Sequence, residues 1–116
     1  MSHIVIAAKD WQFRALLRAQ LLEEHFEVEA FETAADGLQR LETSAALPDL
    51  LIADLTASDN PSSEAEALSG WSDKFPIWIV VSRAYKIENR WNFEETMFRP
   101  VEIGQIVDRV RKRLRP

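Results

Sequence analysis

The feature that most constrains the fold of this 116-residue chain is an alternation of short apolar runs with segments of helical periodicity. Residues 4–7, 50–53 and 77–81 are each continuously apolar. Strands that are covered by helices on both faces have this composition, so the three runs predict the central strands of a parallel sheet. Residues 28–31 alternate with glutamates and predict an edge strand, and residues 97–98 predict a short fifth strand.

Between the predicted strands, apolar residues recur at the spacing of one helix face. They are Phe13, Leu16, Leu17 and Leu21 in the first segment, Ala35, Leu38 and Leu41 in the second, and Ile103, Ile106, Val107, Val110 and Leu114 in the last. In the third segment, Ser63 and Glu66 have the spacing of a capping box, and Gly70 is a candidate helix stop. Strand and helix alternate five times, which predicts a doubly wound parallel α/β sheet.

Composition limits the classes of function. A hydrophobic content of 47% is enough for one core, so residues 1–116 are expected to form a single domain. The chain has no cysteine, which excludes disulfides and thiolate metal sites. The first residues do not form a signal peptide or a membrane span, so a cytoplasmic location is expected. A net charge of −5 gives no overall attraction to nucleic acid or to an anionic membrane.

Four segments resemble the receiver domain of response regulators (CheY-like), and they follow in that family's order. Residues 4–10 are similar to its first strand and acidic pair, and residues 48–55 to the strand that ends in the phosphoacceptor aspartate. Residues 76–82 are similar to the strand that ends in the switch Ser/Thr, and residues 99–103 to the Lys-Pro turn before the last helix. The resemblance implies a flavodoxin-like (βα)5 fold.

Carried over by position, the resemblance makes Asp54 the phosphoacceptor equivalent, Ser82 the switch residue, and Arg99-Pro100 the Lys-Pro turn, with a cis peptide bond. In the family, two acidic residues after the first strand help to hold magnesium. Ala8 and Lys9 match them here, and Asp10 is a substitute ligand one residue later.

Lys9 and Arg99 together with Asp54 give this pocket a net charge of +1, which disfavours Mg²⁺. We therefore expect Lys9 or Arg99 to pair with Asp54, with Lys9 near the metal position. The alternative is that Lys9 points into solvent. No catalytic residue, metal or cofactor is expected.

The switch face of the family is also altered. Thr96 stands where the family has an aromatic residue on the fifth strand. Only 17 positions separate Ser82 from Arg99, which predicts a fourth helix that is shorter by about one turn. The same stretch contains Tyr85, Trp91 and Phe93, which either form an interface or fill the space left by the shortened helix.

The resemblance implies a pseudo-receiver, a degenerate interaction module of bacterial two-component signalling rather than an enzyme. Its expected partners are proteins: a kinase, an output domain or a second copy of itself. One alternative is an atypical receiver that is still phosphorylated on Asp54, through a site that uses Asp10, Asp54 and a backbone carbonyl near Thr56. A third hypothesis, a flavodoxin-like binder of a small ligand, lacks a glycine-rich loop after the first strand, where residues 8–11 read Ala-Lys-Asp-Trp.

Overall fold

A computed structural model describes residues 1–44, 46–88 and 90–115 and contains one five-stranded parallel sheet with the strand order β2-β1-β3-β4-β5. The strands are β1 (His3–Ala8), β2 (Glu27–Phe31), β3 (Leu50–Asp54), β4 (Ile77–Val81) and β5 (Glu95–Phe98). The helices are α1 (Trp11–Glu23), α2 (Ala34–Glu42), α3 (Pro61–Ser69) and α4 (Ile103–Leu114). The predicted fold class is confirmed. No helix in the described part of the chain is long and apolar enough to cross a membrane.

The continuous apolar strands are explained by two separate cores, one on each face of the sheet. Successive side chains of a strand point to opposite faces, so Ile4 and Ile6 enter one core while Val5 and Ala7 enter the other. Helices α1 and α4 cover the first core, and α2 and α3 cover the second. Every residue of β3 and β4 is buried, as predicted for central strands.

Helices α1 and α2 keep most of the predicted apolar face, with two corrections. Asp10 caps α1, because its Oδ1 accepts hydrogen bonds from the N–H groups of Gln12 and Phe13 at 3.1 and 3.2 Å. With Phe13, Leu17 and Leu21 facing the sheet, Leu16 lies beside the buried face and is 51% exposed. The prediction that Leu16 packs on the sheet with them is therefore wrong. In α2 the buried residues include Ala34 and Gly37, while Ala35 is exposed. Both errors come from the rotation of each helix about its own axis, which the spacing of apolar residues does not fix.

Helix α3 begins three residues earlier than the capping-box pattern predicted. The side chain of Asn60 accepts a hydrogen bond from the N–H of Ser63 at 3.2 Å, and Pro61 occupies the first turn, where its missing N–H costs nothing. Ser63 is therefore inside the helix and is not its cap. Gly70 is the C-cap, which confirms the predicted end of the helix.

The predicted fourth crossover helix is wrong, because the described residues between β4 and β5 contain no helix at all. Trp91 lies in this irregular segment and is only 7% exposed, within the second core. Tyr85 stacks on Trp91 with ring centroids 6.3 Å apart, and Phe93 packs on its other side, also at 6.3 Å. The aromatic side chains thus cover the part of the sheet that the helix would cover. The burial of Trp91 favours the alternative in which these side chains fill the space left by the helix, and Tyr85 and Phe93 are half-buried.

Helix α4 confirms the predicted stripe, since Ile106, Val107 and Val110 are buried and Ile103 and Leu114 pack against them. The basic residues near its end are largely paired with carboxylates. These pairs are Arg109 with Glu95, Arg113 with Glu94, and Arg111 and Arg115 with Glu24. The cations therefore serve contacts within the domain.

Candidate functional site

The predicted site lies at the carboxyl edge of the sheet, where parallel strands end side by side. In the pairing of β1 with β3, Ala8 stands opposite Asp54, so Lys9 and Asp10 begin a loop next to Asp54. Arg99 follows β5, and its N–H donates to the carbonyl of Val81 at 2.9 Å, which extends the sheet by one residue. Chain segments that are distant in sequence therefore meet at this edge.

Asp54 is buried, with 3% of its surface exposed, and both of its carboxylate oxygens accept hydrogen bonds. The Nη2 of Arg99 donates to Oδ2 at 2.6 Å. The backbone N–H and the hydroxyl of Thr56 both donate to Oδ1, at 3.1 and 2.7 Å. The predicted pairing of Asp54 with a cation is confirmed for Arg99.

The guanidinium of Arg99 lies between two carboxylates. The Nη2 that binds Asp54 is also 3.4 Å from Oδ2 of Asp10, and the guanidinium carbon lies 4.7 Å from the ring centroid of Phe13. The Nε atom of Arg99 is buried and has no hydrogen-bond partner among the described residues. Charge pairing and the aromatic face therefore fix the guanidinium.

Lys9 does not pair with Asp54, so this part of the prediction is wrong. Its Nζ donates to Oδ2 of Asp59 at 2.5 Å, in the loop between β3 and α3, and 47% of its side chain is exposed. A hydrated ammonium near the surface keeps its solvation in this position, while burial beside Asp54 would remove it. The alternative that Lys9 points outward is closer to what is found.

The structure also changes the predicted charge of the pocket. With Lys9 directed to Asp59, the central groups are the carboxylates of Asp10 and Asp54 and the guanidinium of Arg99, which leave one net negative charge. Ala8 is buried in the first core and offers no side-chain ligand. The predicted value of +1 is therefore wrong, and Arg99 replaces Lys9 as the cation of the pocket.

These residues do not fit a magnesium ion. Among the described residues, no group of three or more His, Cys, Asp or Glu side chains is placed to hold a metal. The carboxylates of Asp10 and Asp54 are bridged by the guanidinium of Arg99. Because Mg²⁺ needs oxygen ligands and is repelled by cations, the guanidinium opposes its binding between them.

The remaining predicted positions lie around this edge. Ser82 follows β4 and is exposed, and its hydroxyl makes no hydrogen bond with any described residue. Thr96 is half-buried in β5 beside Ile79, and the predicted cis bond of Arg99-Pro100 is confirmed. Sequence reasoning considered only a backbone carbonyl near Thr56 and missed its two donors, although an aspartate that accepts from the N–H two residues later is a common turn signal. It also missed Asp59, whose role depends on a tertiary contact.

No protein-family model and no curated protein sequence matches this chain. Among solved structures it is similar to a CheY-like receiver domain protein from Methanospirillum hungatei, with 18% identity, a TM-score of 0.78, and coverage of 98% of this chain and 94% of that one. The non-phosphorylated HemR receiver domain from Leptospira biflexa has 17% identity and a TM-score of 0.78, and the match covers 100% of this chain and 96% of that one. The response regulator TrrA from Thermotoga maritima, in complex with Mg²⁺ and BeF, has 19% identity and a TM-score of 0.76, and the match covers 97% of this chain and 99% of that one. The chain therefore has the fold of receiver domains.

Proposed function

We propose that this domain is a pseudo-receiver, an interaction module of two-component signalling that binds no magnesium, accepts no phosphoryl group in the usual way and catalyses no reaction of its own. The observation that carries the proposal is the buried contact between Arg99 and Asp54 at 2.6 Å. The partner is another protein: a kinase, an output domain or a second copy.

Both carboxylate oxygens of Asp54 already accept hydrogen bonds. Attack by Asp54 on a phosphoryl group needs a free carboxylate oxygen, but Oδ2 is held by Arg99 and Oδ1 by two donors of Thr56. Hydrogen bonds to a charged group each contribute about 1.5–3 kcal/mol, so their loss would oppose the reaction.

The cation of the pocket is part of the chain itself. In the TrrA complex a divalent ion accompanies the phosphoryl analogue. In this domain the positive charge between Asp10 and Asp54 is a guanidinium that belongs to the chain. A divalent ion at the same point would meet a like charge, and the guanidinium cannot lose its proton to make room.

One observation favours the alternative of an atypical receiver that is phosphorylated on Asp54. Asp10 and Asp54 both approach the same nitrogen of Arg99, so a rotation of this side chain would leave two carboxylates facing each other. No comparable observation favours a small-ligand binder. The open cavity of about 430 Å³ beside Lys9 is lined by Glu32, Asp59 and Glu64, which oppose the binding of a phosphate.

The test is a titration of the domain with Mg²⁺ alone and then with beryllofluoride, followed by amide chemical shifts in NMR. We expect no saturable change at Asp10, Asp54 and Thr56, and no mass increase of the intact protein after incubation with acetyl phosphate. Saturable shifts at these residues, or a phosphorylated Asp54, would overturn the proposal in favour of the atypical receiver.

The matched control is the double variant Lys9→Asp/Arg99→Lys. It provides three carboxylates and a lysine, which is the arrangement that the receiver family uses, and it leaves the buried Ala8 unchanged. We expect this variant to gain shifts that depend on Mg²⁺, which shows that the assay can detect binding by this fold.

A further inference from the structure

Helix α1 has large apolar side chains on both of its faces. Phe13, Leu17 and Leu21 are buried against the sheet. Among the described residues six large hydrophobic side chains are exposed, and three of them lie on α1: Trp11 at 64%, Leu16 at 51% and Leu22 at 40%. Single exposed apolar residues are ordinary, but three on one helix form a cluster that a partner can cover. The outer face of α1 is therefore a candidate contact surface.

The outer face has the spacing of a helix-pairing seam. Gln12, Ala15, Ala19 and Leu22 are exposed and follow one another at intervals of three, four and three residues. This is the a/d spacing of a two-stranded coiled coil, and the residues buried in the domain lie on the opposite side of the helix. Ala15 and Ala19 are small enough for a second helix to approach closely.

The side chains that flank this seam complement each other. Trp11 and Arg18 lie on one flank, and Leu16 and Glu23 lie five residues further along on the other. In a parallel pair of identical helices, residues in these g and e positions meet across the seam. Trp11 would then contact Leu16 of the second copy, and Arg18 would contact Glu23 of the second copy, with each contact made twice.

The two charged residues are free for such a contact. Within the described part of the chain, neither Arg18 nor Glu23 has an ion-pair partner within 4.0 Å. In an antiparallel pair centred on α1, identical flanks meet and Arg18 would face Arg18. Charge complementarity therefore selects the parallel arrangement.

We infer that α1 is a self-association surface, on which two copies of this chain pair their α1 helices in parallel about a two-fold axis. The inference deepens the proposed interaction module, on which it rests, by naming a second copy as one partner. From Gln12 to Leu22 the seam is only about 15 Å long. The contact is smaller than a standard interface, so the dimer is weak and reversible, with a dissociation constant in roughly the micromolar to millimolar range.

The experiment is sedimentation velocity over a concentration series, with charge reversals on α1. Arg18→Glu places four glutamates around the seam and Glu23→Arg places four arginines there, so each variant alone should raise the dissociation constant at least about tenfold. An equimolar mixture of the two variants should restore association, because every flanking pair is again of opposite sign. Lys112→Glu on α4 replaces an exposed positive charge by a negative one, as Arg18→Glu does, and it should leave association unchanged.

Three outcomes would overturn the inference: a wild type that remains monomeric, single variants that associate like the wild type, or a mixture that fails to recover. A wild type that is monomeric but binds a helix of another protein through Trp11 and Leu22 would also overturn it. Failure of the proposed function is seen separately, as Mg²⁺-dependent shifts at Asp54, which do not depend on the state of α1.

Discussion

At the scale of single residues, the stability of the carboxyl edge depends on how Asp54 is compensated. A buried carboxylate without a partner is costly, and Asp54 is neutralised here by a guanidinium that also contacts Phe13. The pair is therefore a structural element as well as the basis of the proposed function.

Arg99→Leu is expected to lower the free energy of unfolding by about 3–5 kcal/mol, because it leaves the charge of Asp54 buried and unpaired. Urea unfolding measures the change. Asp10→Asn, at a half-exposed site 3.4 Å from Arg99, is the control and should cost less than about 1 kcal/mol through that contact.

The double variant Asp54→Leu/Arg99→Leu should recover much of the loss, since both charges are then absent. A loss in Arg99→Leu no larger than that in Asp10→Asn would mean that water, rather than the guanidinium, compensates Asp54.

Some contacts of single residues could be predicted from the sequence, and others could not. The pairing of Asp54 with a cation followed from the charges at three strand ends. The choice of Arg99 over Lys9 did not, because it depends on where Asp59 lies after the loop that follows β3 has folded. Exposure of Leu16 depends in the same way on the rotation of α1 about its axis.

At the scale of elements, the irregular segment between β4 and β5 is held by its aromatic side chains. Trp91 packs in the second core, and its Nε1 donates to Oε1 of Glu66 on α3 at 3.0 Å. Arg90 also contacts Glu66, so the segment is connected to α3 by a Trp-Glu-Arg cluster.

Trp91→Ala is expected to lower the free energy of unfolding by about 3–5 kcal/mol, the usual cost of removing a buried aromatic side chain. The association of the folded fraction should stay the same. Trp91→Phe keeps a ring but loses the hydrogen bond to Glu66, so it should cost less. Reduced association of a fully stable Trp91→Ala protein would restore the interface interpretation.

Two carboxylates give the contacts between elements a pH dependence. The hydrogen bond from Trp91 and then the contact with Arg90 lower the pKa of Glu66 below 4.5. The contact with Arg113 lowers the pKa of Glu94 below the same value. Burial, the second-largest effect, opposes this, and the hydrogen bond from Trp78 adds to the lowering. Because both pKa values are lower in the folded state, the stabilisation is present above pH 4.5 and is lost as the pH falls through the lowered values.

The melting temperature should therefore fall on acidification below about pH 4.5, and the fall should be smaller in Glu94→Gln. Thermal unfolding followed by circular dichroism at a series of pH values measures this. Glu42→Gln, an exposed change with no ion pair within the described residues, is the control and should follow the wild-type curve. Identical curves for Glu94→Gln and the wild type would exclude a contribution from this carboxylate.

Element boundaries were predictable where local chemistry decides them. Gly70 correctly predicted the end of α3, and the apolar stripe correctly predicted the buried face of α4. The absence of a fourth crossover helix did not follow from the length of the segment between β4 and β5. The decisive factor is that Tyr85, Trp91 and Phe93 can cover β4 without a helix, which depends on three side chains packing together.

At the scale of the whole molecule, the fold class was predictable because the strand pattern is redundant. Three continuously apolar runs require helices on both faces of the sheet, and five alternating units then leave few ways to connect them. Function was less accessible because the same fold serves many sites, so it has to be argued from individual contacts such as those of Asp10, Asp54 and Arg99.

The two cores also divide the tryptophans into independent spectroscopic reporters. Trp78 is 2% exposed in the first core and Trp91 is 7% exposed in the second, while Trp11 is 64% exposed on α1 and Trp71 is half-buried. Variants that keep only Trp78 or only Trp91 would report on opposite faces of the sheet. Because β1, β3 and β4 contribute to both cores, we expect the two fluorescence transitions in urea to coincide. Separate midpoints would mean that one layer of helices can detach while the other still holds the sheet. In a variant that keeps only Trp11, the emission spectrum would change with protein concentration if α1 pairs with the α1 of a second copy.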